Sequence, residues 1–186
     1  ITVANQLLED TDELEKAIID LGVSALAETF DRTVAGLETS PGSNFATFAT
    51  STEVAVNSLA TFGAALAKVA ESGRMADTIV LNAALLLELQ FATSGKTDTQ
   101  IFRVDTAAKT IEGIPYFVAN LGDPAPFGVI GTFNQTAKWG TVSGIHVEVS
   151  KEATVGTVNM FEQNLTAIRV EARYGFQVSN PNGFAK

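Results

Sequence analysis

The side chains able to do acid, base or metal chemistry are few. The chain of 186 residues has one histidine, His146, and no cysteine. His146 lies in the stretch Ile145–Val149, where apolar and polar residues alternate as in a half-buried strand. A single histidine on a strand is far more often a surface or hydrogen-bonded residue than a catalyst. Without a thiolate or a second imidazole, the sequence argues against a transition-metal site.

Three short patterns resemble catalytic or ligand-binding motifs, but each has a better explanation or lacks a required part. In Gly140–Gly144 the serine comes one position too late for the nucleophile elbow G-x-S-x-G. Gly128–Gly131 lacks the third glycine and the following helix of a dinucleotide site. The acidic residues between Glu9 and Glu15 suit the N-terminal end of a helix, whose dipole favours negative charge. We therefore expect no catalytic residue, no cofactor and no metal ion, and these motifs name no enzyme.

The C-terminal 26 residues carry the most informative pattern. An extended run alternates apolar residues with three charged ones, Arg169, Glu171 and Arg173. This predicts a strand with one apolar and one charged face, which needs a partner surface on both sides. An Asn-Pro-Asn-Gly sequence ends the run. Pro181 cannot donate a ladder hydrogen bond, and we expect a positive φ at Gly183.

Composition predicts a folded chain with a surface made for a partner. Apolar residues make up 46% of the chain and charged residues 18%, so part of the exposed surface is expected to contact another molecule. An ordinary monomer rich in Ala and Thr fits the composition equally well. The net charge of −9 argues against an electrostatic nucleic-acid binder, which needs a basic face. No apolar stretch is long enough to span a membrane.

The order of predicted elements indicates an α+β fold. Long amphipathic helices are predicted over residues 9–36 and 52–72, the second with a capping box of Thr50 and Glu53. Gly36 and Gly73 are the expected stops, and residues 37–51 are expected to form a loop. Asn82 is expected to cap a third helix that runs to about Phe91. The remaining prediction is a set of strands: 78–81, 101–104, 114–119, 128–133 and 145–149, followed by the C-terminal run.

Read in order, these segments resemble the major capsid proteins of tailed bacteriophages, a fold shared with encapsulin shells and herpesvirus capsid floors. Helix 9–36 resembles the spine helix of that family, and no single motif is as specific as the order and spacing of all of them. The other similar segments are Thr78–Leu89, Ile111–Val118, Gly128–Phe133, Trp139–Val149 and Asn164–Pro181.

The resemblance implies two domains. A peripheral domain would comprise residues 1–42, with the spine helix, and 158–186, with the return strand. An axial domain of a mixed sheet flanked by helices would comprise residues 43–157. The N-terminal arm and the extended hairpin loop of the family are expected to precede Ile1. We expect residues 1–186 alone not to close into an icosahedral shell, which electron microscopy of the chain would test.

The resemblance also implies a possible cross-link. Some family members join subunits by an isopeptide bond between a lysine of the hairpin loop and an asparagine, with a glutamate as base. Asn164 and Glu171 stand at the matching positions, and their odd spacing requires a bend, or requires Asn164 to lie just before the strand. The competing interpretation is an ion pair of Glu171 with Arg169, with Arg173 or with an arginine of a neighbour.

The implied function is that of a structural subunit of a phage or prophage capsid, which is no enzyme. It would assemble into pentamers and hexamers around packaged double-stranded DNA, with Arg169, Glu171 and Arg173 as candidate subunit contacts. Its location would be the virion capsid after assembly in the bacterial cytoplasm, with portal and scaffold proteins as further partners and no membrane contact. The alternatives are an encapsulin-type compartment around a cargo enzyme and, from another class, a small-ligand enzyme or binding module.

Overall fold

The computed structural model describes residues 1–5, 12–37, 48, 51–94, 99–120 and 125–186. These residues fall into two compact units. Unit 1 comprises Ile1–Glu28 and Thr141–Gly175, and unit 2 comprises Thr29–Gly140 and Phe176–Lys186.

The helices begin and end at residues with local reasons to do so. They are α1 (Asp12–Ala35), α2 (Leu59–Ala70), α3 (Ala83–Phe91) and the single turn α4 (Phe133–Thr136). Helix α1 is followed by Gly36 with φ of 81°, as expected of a stop. The predicted residues 9–11 of this helix lie outside the described residues, as does most of the predicted loop 37–51. Gly73 also has a positive φ, of 79°, but α2 ends at Ala70, three residues before this predicted stop.

The described part of the chain contains eleven strands, most of them short. They are β1 (Thr2–Ala4), β2 (Thr78–Leu81), β3 (Val104–Asp105), β4 (Thr110–Ile111), β5 (Ile114–Val118), β6 (Gly128–Gly131), β7 (Ala137–Ser150), β8 (Thr154–Val155), β9 (Val158–Asn159), β10 (Leu165–Val178) and β11 (Phe184–Ala185). Helix α1 and strands β7 and β10 contribute residues to both units.

Unit 1 contains a three-stranded sheet in the order β1-β10-β7 and a separate β8–β9 hairpin. Strand β1 pairs antiparallel with β10, with Val3 opposite Thr166. Helix α1 approaches the sheet closely at Gly22, where an added Cβ would lie 3.0 Å from Val170 Cγ2. Glycine in the middle of this helix therefore permits close packing, which offsets its low helix propensity.

Unit 2 contains a six-stranded mixed sheet in the order β11-β6-β2-β5-β4-β3, in which β2 and β5 are parallel. On one face Ile79, Leu81 and Ile130 pack with residues of α2 and α3. On the other face Val129 belongs to a second cluster, whose rings make edge and tilted contacts: Phe48, Phe133, Phe176 and Phe184. Register explains the division, because Ile79 pairs with Ile130 and Val80 with Val129, so neighbouring residues face opposite ways.

The start predicted for the second helix is wrong. The helix begins at Leu59, and its capping box is formed by Ser58 and Thr61 rather than by Thr50 and Glu53. The preceding chain is used in the sheet: Thr52 bridges to Ala185 in parallel, and Val54 N–H donates to the carbonyl of Lys186 at 2.8 Å. The backbone of this segment is thus bonded to the C-terminal strand, which a helix would prevent.

Several strand boundaries also differ from the predictions. Only Val104 of the predicted 101–104 segment is in a strand, while Phe102 is buried in the core. Strand β6 stops at Gly131, because Asp77 accepts hydrogen bonds from the N–H groups of Phe133 and Asn134 at 2.9 and 3.1 Å and starts α4. Strand β7 is much longer than the predicted 145–149, since its neighbour in the sheet is the 14-residue β10.

The expected turn at Pro181–Gly183 is a 3-10 helix, and Gly183 does not have a positive φ. Asn180 caps this turn by accepting a hydrogen bond from Asn182 N–H at 3.2 Å. Glycine is required at 183 for space, because a Cβ there would lie 2.9 Å from Thr132 Oγ1.

Candidate functional site

Within the described residues, helix α1 covers one face of the sheet of unit 1 and the other face is uncovered. On β10, Ile168 is buried and Val170 contacts Gly22 of α1. Residues at the other parity of β10 point away from the helix, because successive side chains of a strand alternate. The predicted apolar and charged faces of this strand are therefore both present.

The uncovered face holds a cluster of charged side chains from two strands, which we call the charged face. Its members are Arg169, Glu171 and Arg173 of β10 and His146 and Glu148 of β7. Arg169 donates to Glu171 Oε2 through Nε at 3.1 Å and through Nη2 at 2.5 Å. Arg169 Nη1 also lies 4.0 Å from Glu148 Oε2.

These ion pairs are exposed, so they contribute little to the stability of the single chain. The side chains of Arg169, Glu148 and Glu171 are 63%, 57% and 40% exposed. The hydrogen bond from Arg169 lowers the pKa of Glu171, desolvation opposes this, and the positive charges of Arg169 and Arg173 lower it further. The same hydrogen bond raises the pKa of Arg169. Both side chains therefore stay charged near neutral pH and available to a partner.

Strand β7 lies at the edge of this sheet and is long and unusually exposed. Its 14 residues have no hydrogen-bonded strand on the outer side within the described chain. Within unit 1 the exposed apolar residues of this strand include Val142, Ile145 and Val149, at 80%, 47% and 43%. A long apolar edge is a template for pairing with another chain, so monomers normally shorten it or charge it.

Asn164 lies just before β10 in a left-handed conformation, with φ of 53°. This is the arrangement that its odd spacing from Glu171 requires. The side chain of Asn164 accepts a hydrogen bond from Asn5 Nδ2 at 2.9 Å, and its carbonyl accepts one from Asn5 N–H at 3.1 Å. Thr166 Oγ1 in turn donates to Asn5 Oδ1. Asn164 therefore fastens β1 to the sheet of unit 1.

Asn164 and Glu171, the two residues considered for a cross-link, have different hydrogen-bond partners. Glu171 is bound to Arg169, the ion pair that was the competing interpretation, whereas Asn164 is bound to Asn5. Sequence reasoning missed Asn5 and Glu148. The alternation of Ile145–Val149 places Glu148 on the same face as His146, and that signal could have found it.

A metal-binding group and a membrane-spanning helix are both absent from the described residues. No group of three or more acidic or histidine side chains among them could hold a metal ion. In the same residues, no helix is both long enough and apolar enough to cross a membrane.

Known proteins similar to this chain come from phages and related particles. A stretch of 67 residues is 37% identical to the probable major capsid protein gp17 of Mycobacterium phage L5, covering 32% of this chain and 20% of that protein. A structure from Gordonia phage Cozz matches with a TM-score of 0.80 and 16% identity, covering 100% of this chain and 66% of that one. For Mycobacterium phage Bobi the TM-score is 0.75 at 19% identity, covering 97% of this chain and 64% of that one.

The capsid of an empty GTA particle computed with C5 symmetry also matches, with a TM-score of 0.65 and 13% identity, covering 100% of this chain and 68% of that chain. The chain thus spans about two thirds of these structures and a fifth of the curated relative. The structural matches confirm the expected α+β capsid fold. The sequence pattern of the phage capsid family matches residues 1–186, and the chain therefore belongs to the phage capsid family.

Proposed function

We propose that this chain is a structural subunit of the icosahedral capsid of a phage or prophage. The observation that carries the proposal is the match to the phage capsid family along the whole of residues 1–186. The subunit would assemble into pentamers and hexamers around packaged double-stranded DNA. The capsid of an empty GTA particle, which has a similar fold and was computed with C5 symmetry, is consistent with five-fold rings. The virion capsid, assembled in the host cytoplasm, is the corresponding location.

The two units support a division into peripheral and axial domains. Unit 1, with the first part of α1 and most of β10, would belong to the peripheral domain, and unit 2, with the mixed sheet, to the axial domain. The segments 1–42, 43–157 and 158–186 remain our proposed assignment along the chain. The unit boundaries differ from it, because residues 141–157 belong to unit 1 and residues 29–42 and 176–186 to unit 2.

The charged face and the β7 edge are the proposed subunit contacts of unit 1. The charged face carries both signs of charge through Arg169, Glu171 and Arg173. A neighbouring subunit with the complementary pattern of charges can therefore form ion pairs with these side chains. Such pairs set register and exclude wrong partners more than they add affinity. Burial of the apolar β7 edge would supply the favourable binding free energy that exposed ion pairs do not provide.

The acidic net charge of −9 suits a wall that faces DNA. A strongly basic inner surface would bind the packaged genome tightly, because it would release the counterions condensed on many DNA phosphates. An acidic wall keeps such contacts non-specific and weak. Portal and scaffold proteins are further proposed partners.

Electron microscopy and light scattering of the purified chain test the proposal. We expect rings of five or six copies that form as the concentration rises. A monomer that stays monodisperse at every concentration and binds a small ligand saturably would overturn it in favour of a ligand-binding module. None of the relatives named above is an encapsulin, and particles that hold a cargo enzyme instead of nucleic acid would be the mark of that alternative.

An isopeptide cross-link through Asn164 remains a proposal that needs a lysine from a neighbouring chain. The lysine amine would attack the Asn164 carboxamide, an amide bond would form, and ammonia would leave. Glu171 could accept the proton only if Arg169 released it, because the present hydrogen bond weakens Glu171 as a base. Covalent oligomers that survive boiling in detergent and disappear in an Asn164→Ala variant are the expected result, and their absence from mature particles would refute it.

A further inference from the structure

Helix α3 of unit 2 is apolar on every side. Of its nine residues only Glu88 and Gln90 are polar. A helix with this composition is normally buried all round. In this chain Leu85, Leu86 and Leu89 pack in or against the core, but Leu87 and Phe91 are 54% and 69% exposed. These two residues are four apart, so they lie on one side of the helix and form a single projection, which we call the apolar knob.

Unit 2 also has an apolar groove of about 510 Å³. Its walls come from the segment before α2, from α2, from α3 and from the sheet. Six of its lining residues are Val54, Ala55, Val56, Phe62, Leu85 and Leu89. Its charged lining residues are Lys186 and Glu53, which pair with each other at 3.2 Å, and Glu88 of α3, which is exposed. The other lining residues, apart from Asn57, are apolar or glycine. The groove therefore fits an uncharged apolar group better than an ion.

The knob and the groove lie on different sides of the same helix. Leu85 and Leu89 line the groove, and Leu87 is two residues from each of them. Two residues correspond to about 200° around a helix of 3.6 residues per turn. A copy that gives its knob to a second copy therefore keeps its own groove for a third. Such a contact is heterologous, and it forms a closed ring when the rotation between copies closes.

We propose that, in the assembled ring, Leu87 and Phe91 of one copy occupy the groove of the next copy. This inference rests on the proposed function, because pentamers and hexamers are such rings. The inference identifies the residues that would meet between neighbouring copies and makes the contact directional. The uncharged knob suits the groove because entering it leaves no charge without a partner.

The contact is too small to act alone. A buried Phe contributes about 150 to 250 Å², whereas a stable interface buries about 800 Å² on each partner. The knob must therefore work together with other contacts, among them the proposed ones of unit 1. Repetition around a ring lets such modest contacts add up. We expect the contact in rings and particles and not in the dilute monomer.

Engineered disulfides test this directly, because the chain has no cysteine of its own. Ala55 is an exposed lining residue, so Ala55→Cys and Phe91→Cys should both leave the fold intact. Because Phe91→Cys also removes the aromatic anchor, the two variants are mixed and oxidised at a concentration about tenfold above that at which the parent forms rings. This mixture should give a dimer on a non-reducing gel, and neither variant alone should. A chain with both substitutions should give a ladder that ends at five or six copies. Met75→Cys, 82% exposed and outside both surfaces, is the matched control.

The outcomes separate this inference from the proposed function. Rings or shells that form without a disulfide between Ala55→Cys and Phe91→Cys chains would overturn the knob contact and leave the capsid proposal intact. Dimers of Phe91→Cys alone would show an isologous contact and would also overturn it, as would a small apolar molecule found in the groove by native mass spectrometry. Failure of residues 1–186 to form rings under any condition would overturn the knob contact. The capsid proposal would be overturned only if that monomer also bound a small ligand saturably.

Assembly energetics give a second measurement. Phe91→Ser should raise the concentration needed for rings about tenfold, because a buried aromatic anchor dominates a small contact. Met75→Ser should leave that concentration unchanged. Both variants should unfold at the same urea concentration as the parent, since both side chains are exposed in the single chain. Equal assembly of the two variants would contradict the proposal.

Discussion

Replacing Asn82 by alanine should destabilise unit 2 far more than an ordinary helix cap would. The side chain of Asn82 is buried, with 4% of the residue exposed, and its Oδ1 accepts from Leu85 N–H at 2.9 Å as the cap of α3. The same oxygen accepts from Phe127 N–H at 3.1 Å, and Nδ2 donates to the carbonyl of Ala125 at 2.5 Å. Asn82 thus joins a helix start to the chain segment that leads into β6.

The size of the effect follows from counting these bonds. Loss of the cap costs about 1 kcal/mol, and loss of two further buried hydrogen bonds costs about 1 kcal/mol each, so we expect about 3 kcal/mol in total. Ser58→Ala is the matched control, because Ser58 caps α2 through Thr61 in a local box and should cost about 1 kcal/mol.

Urea unfolding followed by circular dichroism measures the difference. With a slope of about 2 kcal/mol per molar urea, Asn82→Ala should lower the midpoint by about 1.5 M and Ser58→Ala by about 0.5 M. Equal shifts for the two variants would refute the reasoning, since they would show that the bonds to residues 125 and 127 add nothing. A changed slope in either variant would show an altered unfolded or native state instead of a lost bond.

Two further predictions concern the glycines of unit 2 and the charged face. Gly131→Ala should lower the free energy of unfolding by about 1 to 3 kcal/mol through overpacking, because the added Cβ would lie 2.6 Å from the carbonyl oxygen of Gly183. Gly63 of α2 faces open space, so Gly63→Ala should raise the free energy of unfolding by about 0.5 to 1 kcal/mol in the same urea assay. A loss of stability in Gly63→Ala would contradict this reasoning. The Glu171 carboxyl should titrate below its ordinary pKa of 4.5, and Arg169→Gln should raise that pKa. Because the folded pKa is lowered, the ion pair contributes stability above pH 4.5 that is lost as the pH falls through the folded value. Carbon NMR of the carboxyl group measures it, and a titration at or above 4.5 in the parent would refute the assignment.

The sequence predicted well those elements whose causes are local. Strand β2 and the Asn82 cap were predicted at the residues where they occur, because an N-cap needs only its own side chain and an N–H three residues on. The stop at Gly36 followed from the tolerance of glycine for positive φ. The alternation of Arg169, Glu171 and Arg173 showed which residues of β10 share a face before any partner was known.

Distant contacts decided what the sequence could not. The sequence indicated a capping box at Thr50 and Glu53, but the helix starts after Ser58 instead, because Thr52 and Val54 form backbone bonds with the end of the chain at Ala185 and Lys186. The pairing of β7 with β10 likewise brought Glu148 to Arg169. No local pattern encodes such pairs, because long-range pairing is selected by the whole set of competing contacts.

The sequence by itself determined the order of elements, the absence of cysteine chemistry, the two faces of β10 and the resemblance to capsid proteins. These are properties of residue type, periodicity and spacing along the chain. Only the tertiary structure decided which apolar side chains are left outside, among them Leu87 and Phe91 of α3 and Val142, Ile145 and Val149 of β7. The exposure of an apolar side chain depends on how much apolar surface the rest of the chain can cover. We expect neighbouring copies to cover these exposed side chains of α3 and β7.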